Sequence, residues 1–454
     1  MTDTICALAT APGGALGIIR ISGPQAFEAV SAICSVHGAS VAANTVHFTR
    51  IISPSPIGGE LVETLDEALV TVFHAPHSYT GEDSIEISCH GSAYILNKVL
   101  ELLMQNGCRM AKPGEFTQRA YLNGKMDLSQ AEAVADLIAS SNKASHNIAM
   151  SQLRGGISTE LTQLREQLLK LTSLLELELD FSDHEDLEFA DRNELLALSK
   201  KINKHITRLA QSFDTGQAIK QGIPVAIVGK TNVGKSTLLN RLLKDDRAIV
   251  SDVHGTTRDS IEDTIDINGI TFRFIDTAGI RQTTDKIEQI GIERTYAAIN
   301  KARIVIWIID EEPTQEELSK IRLLSDNKQL IIARNKIDKV ENKPFTIVKI
   351  PFVEISAKHG QGIDALEDAI YKSADIPAFS DSEIIITNAR HYEALTRANE
   401  HLQRVIDGLQ KQISGDLLSE DLRLTLDTLS EITGGQITTN EVLGNIFKNF
   451  CVGK

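Results

Sequence analysis

Val225-Ala-Ile-Val228 runs into Gly229-Lys-Thr-Asn-Val-Gly-Lys-Ser236, and Thr237-Leu-Leu-Asn-Arg-Leu-Leu243 follows. An apolar strand, a glycine-bearing loop and a helix-forming run in that order are the context in which G-x-x-x-x-G-K-[ST] holds phosphates. Glycines, Gly234 among them, let backbone N–H groups approach the oxygens. Lys235 brings a point charge to the β and γ phosphates, the Ser236 hydroxyl can ligate magnesium, and Asn232, Val233 and Thr237 complete the cradle. Downstream, Phe272-Arg-Phe-Ile275 ends at Asp276, Thr277, Ala278 and Gly279. A carboxylate at a strand end there would hold the water shell of the metal, and the Gly279 N–H could sense a γ-phosphate.

The choice of base is written further on. Leu330-Ile-Ile-Ala333 precedes Asn335, Lys336 and Asp338, and Phe352-Val-Glu-Ile355 precedes Ser356, Ala357 and Lys358. A carboxylate at Asp338 can accept from both the ring N–H and the exocyclic amine of guanine. Adenine cannot supply both donors and would leave the carboxylate unpaired, so the pattern selects GTP over ATP. The loop from Ser356 suits a backbone N–H meeting the guanine carbonyl. These elements, each at a strand end, imply a doubly wound α/β domain that binds and hydrolyses GTP.

Outward from this centre the pattern changes. Residues 1–118 mix Gly13-Gly14 and Gly58-Gly59 with β-branched runs, Ala68-Leu-Val-Thr-Val-Phe73 and the alternating Ser84-Ile-Glu-Ile-Ser88, which predicts a small α+β domain. Over 119–215 the period is helical. Ser129-Gln-Ala-Glu132 reads as a capping box, and Leu161, Leu164, Leu168, Leu171 and Leu175 recur every three or four residues. Phe213-Asp-Thr-Gly216 reads as a turn that opens the nucleotide domain, 216–377. Over 378–454 helical leucines return at Leu418, Leu422, Leu426 and Leu429. Each helical half has an apolar face that needs a partner, so the expectation is one discontinuous all-α domain with the nucleotide domain inserted between its halves.

A chain of 454 residues, 42% hydrophobic, has room for several cores. A formal charge of -15 argues against a broad nucleic-acid-binding face, because such affinity comes from Lys and Arg displacing counterions. Any RNA contact should be local or shared with a partner. An acid near the start and no apolar run approaching ~20 residues predict a soluble, cytoplasmic protein without a membrane span. Five cysteines without a C-x-x-C pair argue against a disulfide framework or a zinc site, and for a reducing compartment. Asp180, Asp183, Glu185, Asp186 and Glu188 read as a solvated turn, and His74, His77 and His90 lack metal-binding spacing.

Two residues distinguish the hydrolytic centre. Ile280 stands where Ras-like proteins carry a water-orienting Gln, so another group must take that role. Asn232 could help coordinate a monovalent cation beside the phosphates, or merely brace the loop; Arg258 or Arg281 could instead act as an arginine finger.

Gly255-Thr-Thr-Arg-Asp259, Asp276-Thr-Ala-Gly279, Ile290-Gly-Ile-Glu-Arg294 and the terminal Phe450-Cys-Val-Gly-Lys454 resemble the bacterial and organellar family of tRNA-modification GTPases called MnmE or TrmE. His77-Ser-Tyr-Thr-Gly-Glu-Asp83, Lys112-Pro-Gly-Glu-Phe-Thr-Gln-Arg119 and Asp127-Leu-Ser-Gln-Ala-Glu-Ala133 are similar to that family's folate domain and the start of its helical domain, so the likeness covers essentially the whole chain. The resemblance implies a homodimer built through N-terminal folate-binding domains. It implies work with a flavin-dependent partner, MnmG or GidA, that places a carboxymethylaminomethyl-type group on carbon 5 of the wobble uridine of certain tRNAs. A tetrahydrofolate, in 5-formyl or methylene form, would be the one-carbon source.

Carried over by motif, Asn232 and the loop Ser251, Asp252, Val253, His254, Gly255 and Thr256 would bind nucleotide, with Asn232, Ser251, Val253 and Thr256 on potassium. Thr257 would join Ser236 on magnesium, and Glu288 would position the attacking water through a second water. The family often has Thr at Ser251; both offer a hydroxyl. Arg20, Glu86, Lys125 and Lys454 match the folate positions, although Arg20 also reads as an edge-strand arginine and Glu86 as an outward strand acid. Cys451 reads either as catalytic or as a small hydrophobe. The rival reading is a switch for RNA or ribosome assembly, which would be expected to bring a basic RNA-binding module.

Overall fold

The computed structural model describes residues 3–36, 38–54, 62–180, 192–245, 263–275, 296–339, 350–376, 383–435, 443, 446–448, 450, 451 and 453. The chain divides into two compact units. One comprises Met1–Ala139, Ala149–Thr207 and Glu393–Lys454; the other comprises Ser140–Ile148 and Arg208–Tyr392.

In the first unit, β1 (Thr4–Leu8), β2 (Leu16–Ser22), β3 (Thr45–Pro54), β4 (Val62–Phe73), β5 (Ser84–His90) and β6 (Cys108–Met110) form one sheet in the order β3-β4-β5-β2-β1-β6. All pairs are antiparallel except β1 with β6. Period-two alternation sends Ile19, Ile21, Val70, Val72, Ile85 and Ile87 to one face, where Val30 and the Leu96, Val99 and Leu103 stripe of helix Ala93–Gln105 cover them. Arg20 and Glu86 face the other way and pair across β2 and β5. Since β2 lies between β5 and β1, Arg20 is not an edge-strand residue; its position between hydrogen-bonded neighbours fixes where its side chain starts.

The leucine stripe of the same unit behaves as its spacing predicts. Leu161, Leu164, Leu168, Leu171 and Leu175 of helix Gly156–Asp180 are all buried. Helix Gly415–Thr433 packs against it and buries Leu418, Leu422 and Leu429, with Leu426 half-buried. The expected capping box is displaced by two residues. Helix Leu128–Ala139 already contains Ser129; Asp127 Oδ1 accepts the Gln130 N–H at 3.0 Å and Gln130 Oε1 accepts the Asp127 N–H at 3.0 Å. A carboxylate caps as well as a hydroxyl and also favours the positive end of the helix dipole, so Asp127 takes the position. Ser129 then donates to Asp127 at 2.6 Å.

The turn expected at Phe213–Gly216 is instead continuous helix, part of Arg192–Gln221. Phe213 stacks on Tyr392 at 4.6 Å, Ser212 Oγ accepts the Ile386 N–H at 3.0 Å, and Gln217 donates to the Thr387 carbonyl at 2.6 Å. A Cβ on Gly216 would lie 2.1 Å from the Ile386 carbonyl oxygen. The glycine therefore serves close backbone approach rather than a turn.

The second unit carries β7 (Ile223–Val228), β8 (Asp263–Ile267), β9 (Ile270–Phe274), β10 (Ile304–Ile309), β11 (Gln329–Arg334) and β12 (Phe352–Glu354), ordered β12-β11-β10-β7-β9-β8. Only β8 runs antiparallel. Every residue of β10 is buried, because Ile304, Ile306 and Ile308 enter one core while Val305, Trp307 and Ile309 enter another on the opposite face. This is the doubly covered parallel sheet that the strand-end motifs imply. The strand order reverses at β7, whose carboxyl end leads into Gly229.

Arg119, 0% exposed, gathers carboxylates from across the N-terminal unit: Asp3 at 2.9 Å, Glu82 at 3.0 Å and Glu115 at 3.2 Å. Arg109 adds a second guanidinium to Asp3 and Glu115. Burial acts to raise the Glu115 carboxyl, but bonds from Arg109, the Lys112 N–H and Arg119 outweigh it and hold it below the usual range; Asp3 follows the same logic. The resulting stability is present above ordinary carboxylate values, about 4, and is lost as pH falls through the lower folded values. Arg119→Met leaves these acids without their buried cation and is expected to remove about 3–5 kcal/mol, read as a lower urea midpoint at neutral pH. An unchanged midpoint would show that the cluster does not hold this unit together.

Candidate functional site

The loop after β7 is shaped by its backbone. Gly229 has φ +154°, and a Cβ there would lie 2.4 Å from the Ile308 carbonyl oxygen; Gly234 has φ +104°, and a Cβ there would come within 2.2 Å of Asn335 Nδ2. Asn232 between them is left-handed at φ 62°. Lys235 Nζ donates to the Gly229 and Lys230 carbonyls at 2.7 and 2.6 Å, and burial lowers its pKa. Lys235, Ser236 and Thr237 open helix Lys235–Asp245, whose Leu238, Leu239 and Leu242 anchor it in the core. N–H groups at such a helix start point toward a bound anion.

Asn335, buried after β11, joins this loop to the last one. Its Nδ2 donates to the Val233 carbonyl at 2.7 Å, and its Oδ1 accepts the Ala357 N–H at 2.9 Å. Lys336, left-handed at φ 67°, pairs with Asp310 at 2.7 Å. Asp338 accepts from Ser356 Oγ at 2.7 Å, and that bond, ahead of the other influences on it, holds its carboxyl below the usual range. An ionised Asp338 therefore faces the site as an acceptor. Arg241, unremarked in the sequence, reaches the Ala357 and Lys358 carbonyls. Its place in Thr237–Leu243 gave no signal beyond an exposed helical position.

Asn232, Val233, Gly234, Lys235, Ser236, Thr237, Asn335, Lys336, Asp338, Ser356, Ala357 and Lys358 thus follow the carboxyl ends of β7, β11 and β12, on one edge of the same parallel sheet. Ser251, Asp252, Val253, His254, Gly255, Thr256, Thr257, Asp276, Thr277, Ala278, Gly279, Glu288 and the rival Arg258 and Arg281 lie outside the described residues. The donor set at Asn232, Lys235 and Ser236 suits phosphate oxygens and hard cations.

In the N-terminal unit, Arg20 Nε and Nη2 both meet Glu86 Oε1 at 2.8 Å, and Nη1 donates to the Gly453 carbonyl at 3.2 Å. The guanidinium carbon sits 5.5 Å from the Tyr79 ring centre and 5.8 Å from that of Phe116. Tyr79 is fixed by its hydroxyl against Thr117 at 2.8 Å. The chain end reaches this place because the Cys451 carbonyl accepts the Gly114 N–H at 3.3 Å, and Gly453, at φ +91°, lies where a Cβ would meet the Leu8 carbonyl oxygen at 2.3 Å. Cys451 itself is exposed. Lys125 is exposed and donates to the Pro76 carbonyl at 2.9 Å; Lys454 is outside the described residues. Tyr79 and Phe116 fall within the motifs His77–Asp83 and Lys112–Arg119, and their framing of Arg20 has no local sequence signal. Among the described residues no His, Cys, Asp or Glu group could hold a metal, and no helix is long and apolar enough to cross a membrane.

A family model described as "GTP-binding protein TrmE N-terminus" matches residues 4–125, and one described as "MnmE helical domain" matches residues 128–451. The chain is 53% identical over 494 residues to the tRNA modification GTPase MnmE of Phocaeicola vulgatus, covering 100% of this chain and 99% of that protein. The protein of the same name from Bacteroides thetaiotaomicron is 54% identical over 471 residues, with 100% and 99% covered. That from Parabacteroides distasonis is 52% identical over 462 residues, with both chains covered in full, 100%. Among solved structures, an Era variant from Aquifex aeolicus bound to GDP.AlF4- is 29% identical over 39% of this chain and 65% of its own, at a TM-score of 0.25, which carries no weight in the argument.

Asp338→Asn presents a donor where guanine also donates, and is expected to shift preference from GTP toward xanthosine triphosphate by ~10-fold or more, on the scale of a buried unpaired hydrogen bond. Competition binding of the two nucleotides checks this; unchanged GTP preference removes Asp338 from base recognition.

Proposed function

This chain belongs to the MnmE family of tRNA modification GTPases, and from that premise we propose that its hydrolysis of GTP drives a folate-dependent modification of the wobble uridine. The proposed product is a carboxymethylaminomethyl-type group on carbon 5, made in the cytoplasm with a flavin-dependent partner of the MnmG or GidA kind and a 5-formyl or methylene tetrahydrofolate. The observation that carries this reading is the meeting of Arg20, Glu86 and the C-terminal Gly453 beside Tyr79 and Phe116. A folate has carboxylates that want a guanidinium, a pterin edge whose donors suit a carboxylate, and a flat ring that suits aromatic neighbours. Lys125, Lys454 and a homodimer through the N-terminal domains belong to the same proposal, as do the domain limits 1–118, 119–215, 216–377 and 378–454.

In the nucleotide domain, Lys235 leaves its loop carbonyls for the β and γ oxygens, Ser236 and Thr237 sit at the anion-favouring helix start, and Asp338 accepts from guanine. Magnesium on Ser236 and Thr257, and potassium on Asn232, Ser251, Val253 and Thr256, would supply positive charge to the triphosphate. Asp276, Thr277, Ala278 and Gly279 would sense the γ-phosphate. Glu288 would orient water for attack on the γ-phosphorus; the bond to the β–γ bridging oxygen breaks, GDP leaves, and the water's proton goes to the phosphate product. The rival assembly switch is disfavoured by a net charge of -15 and by an N-terminal unit whose buried arginine is spent on carboxylates.

Steady-state GTPase rates in potassium and in sodium at equal ionic strength, across protein concentrations, should differ by ~10-fold or more in favour of potassium if a cation replaces an arginine finger. Equal rates would take the cation out and return Arg258 and Arg281 to consideration. Cys451→Ser should abolish wobble-uridine modification in digested tRNA while leaving GTP hydrolysis intact; full modification would make Cys451 a bystander.

A further inference from the structure

We propose that Arg241 is a positioning residue for guanine: by holding two carbonyls of the Ser356–Gln361 turn, it sets the backbone that meets the 6-carbonyl of the base. This rests on Asp338 and the loop Ser356–Lys358 forming the base site. Arg241 Nη2 donates to the Lys358 carbonyl at 2.9 Å and Nε to the Ala357 carbonyl at 3.4 Å. A Cβ on Gly360, at φ +79°, would lie 3.6 Å from the guanidinium carbon, so the side chain rests against the turn itself.

The consequence follows from peptide planarity. In a trans peptide the C=O and the next N–H point in opposite directions within one plane. Holding the Ala357 carbonyl fixes the direction of the Lys358 N–H; holding the Lys358 carbonyl fixes that of the His359 N–H, which donates to the Ser356 carbonyl at 3.1 Å. The Ala357 N–H is already committed to Asn335 Oδ1. One side of the turn is thus anchored from the buried Asn335 and the other from Arg241. The guanidinium suits this task because its two donors are fixed in one plane, whereas an ammonium that meets two carbonyls imposes no such plane on them.

The phosphate loop is anchored independently of Arg241, by Asn335 Nδ2 on the Val233 carbonyl. Loss of Arg241 therefore loosens the base end and leaves the phosphate end intact. Adenine presents an amine where guanine presents a carbonyl, so a loosened turn discriminates less between them.

The test uses the full-length protein. Dissociation constants for methylanthraniloyl-GDP are measured by fluorescence, and those for ADP by competition, in wild type, Arg241→Met and Arg241→Lys. Arg241→Met should weaken GDP about tenfold, leave ADP unchanged and so lower selectivity by the same factor; Arg241→Lys should fall between. Equal weakening of GDP and ADP would mean a general structural role and overturn the proposal, as would unchanged GDP affinity in both variants. A wild-type protein that bound GDP no better than ADP would sink the base site on which the proposal rests, a failure distinct from the first two.

Discussion

The carboxamide of Asn335 is the constraint on which the nucleotide half depends. It is 4% exposed, donates to the phosphate loop at Val233 and accepts from the base loop at Ala357. An amide can do both because it carries a donor and an acceptor on separate atoms of one rigid plane; an ionised carboxylate of the same reach only accepts. Gly234 must be glycine for the same reason, since any side chain there would occupy the space of that amide. Phosphate and base loops, separated by about a hundred residues of chain, are thereby held as one surface.

Arg119 plays the corresponding part in the N-terminal unit, with the opposite economy of charge. Its partners come from the chain start, from the loop before β5 and from its own helix. That loop also supplies Thr80 and Glu82 to Ser22 at 2.7 and 2.8 Å, and Tyr79 to the neighbourhood of Arg20. The ion cluster therefore fixes the aromatic side of the Arg20 site, while the strand register fixes Arg20 and Glu86. Two independent constraints converge on one small region, which is how a site keeps its geometry without a rigid ligand.

What could be read from the sequence was what repeats or is local. The strands before Gly229, Asn335 and Ser356 follow from short apolar runs that end at loop motifs, and the leucine stripe from Leu161 to Leu175 and the alternation of Ser84–Ser88 from periods of 3.6 and two residues. Most of the contacts that shape the sites could not be read, because they join residues far apart in the chain. That Arg20 faces Glu86 requires β2 to lie beside β5, a neighbour three strands later in sequence. The displaced cap and the helix through Phe213–Gly216 have a common cause: residue type alone favours Ser129 as a cap and Gly216 as a turn, whereas Asp127 takes the cap and the Ile386 backbone needs the glycine for close approach.

Two of the seven non-glycine residues with positive φ among the described residues lie in the loops of the nucleotide site. Asn232 and Lys336 both have positive φ, 62° and 67°. For asparagine this conformation is tolerated; for lysine it costs roughly 1–2 kcal/mol and persists only where neighbours impose it. Around Lys336 they do. The Asn335 N–H is held by Ile309 at 2.7 Å, the Lys339 N–H closes a turn on the Lys336 carbonyl at 2.9 Å, and the Lys336 ammonium is drawn to Asp310. The turn lets Asn335 point inward to lock the loops while Asp338, three residues on, remains accessible beside Ser356. An extended residue at 336 would carry the chain past Ser356, and the same four residues could not reach both the core and Ser356. The strain is therefore the condition for placing a buried structural amide and an accessible carboxylate on one short loop.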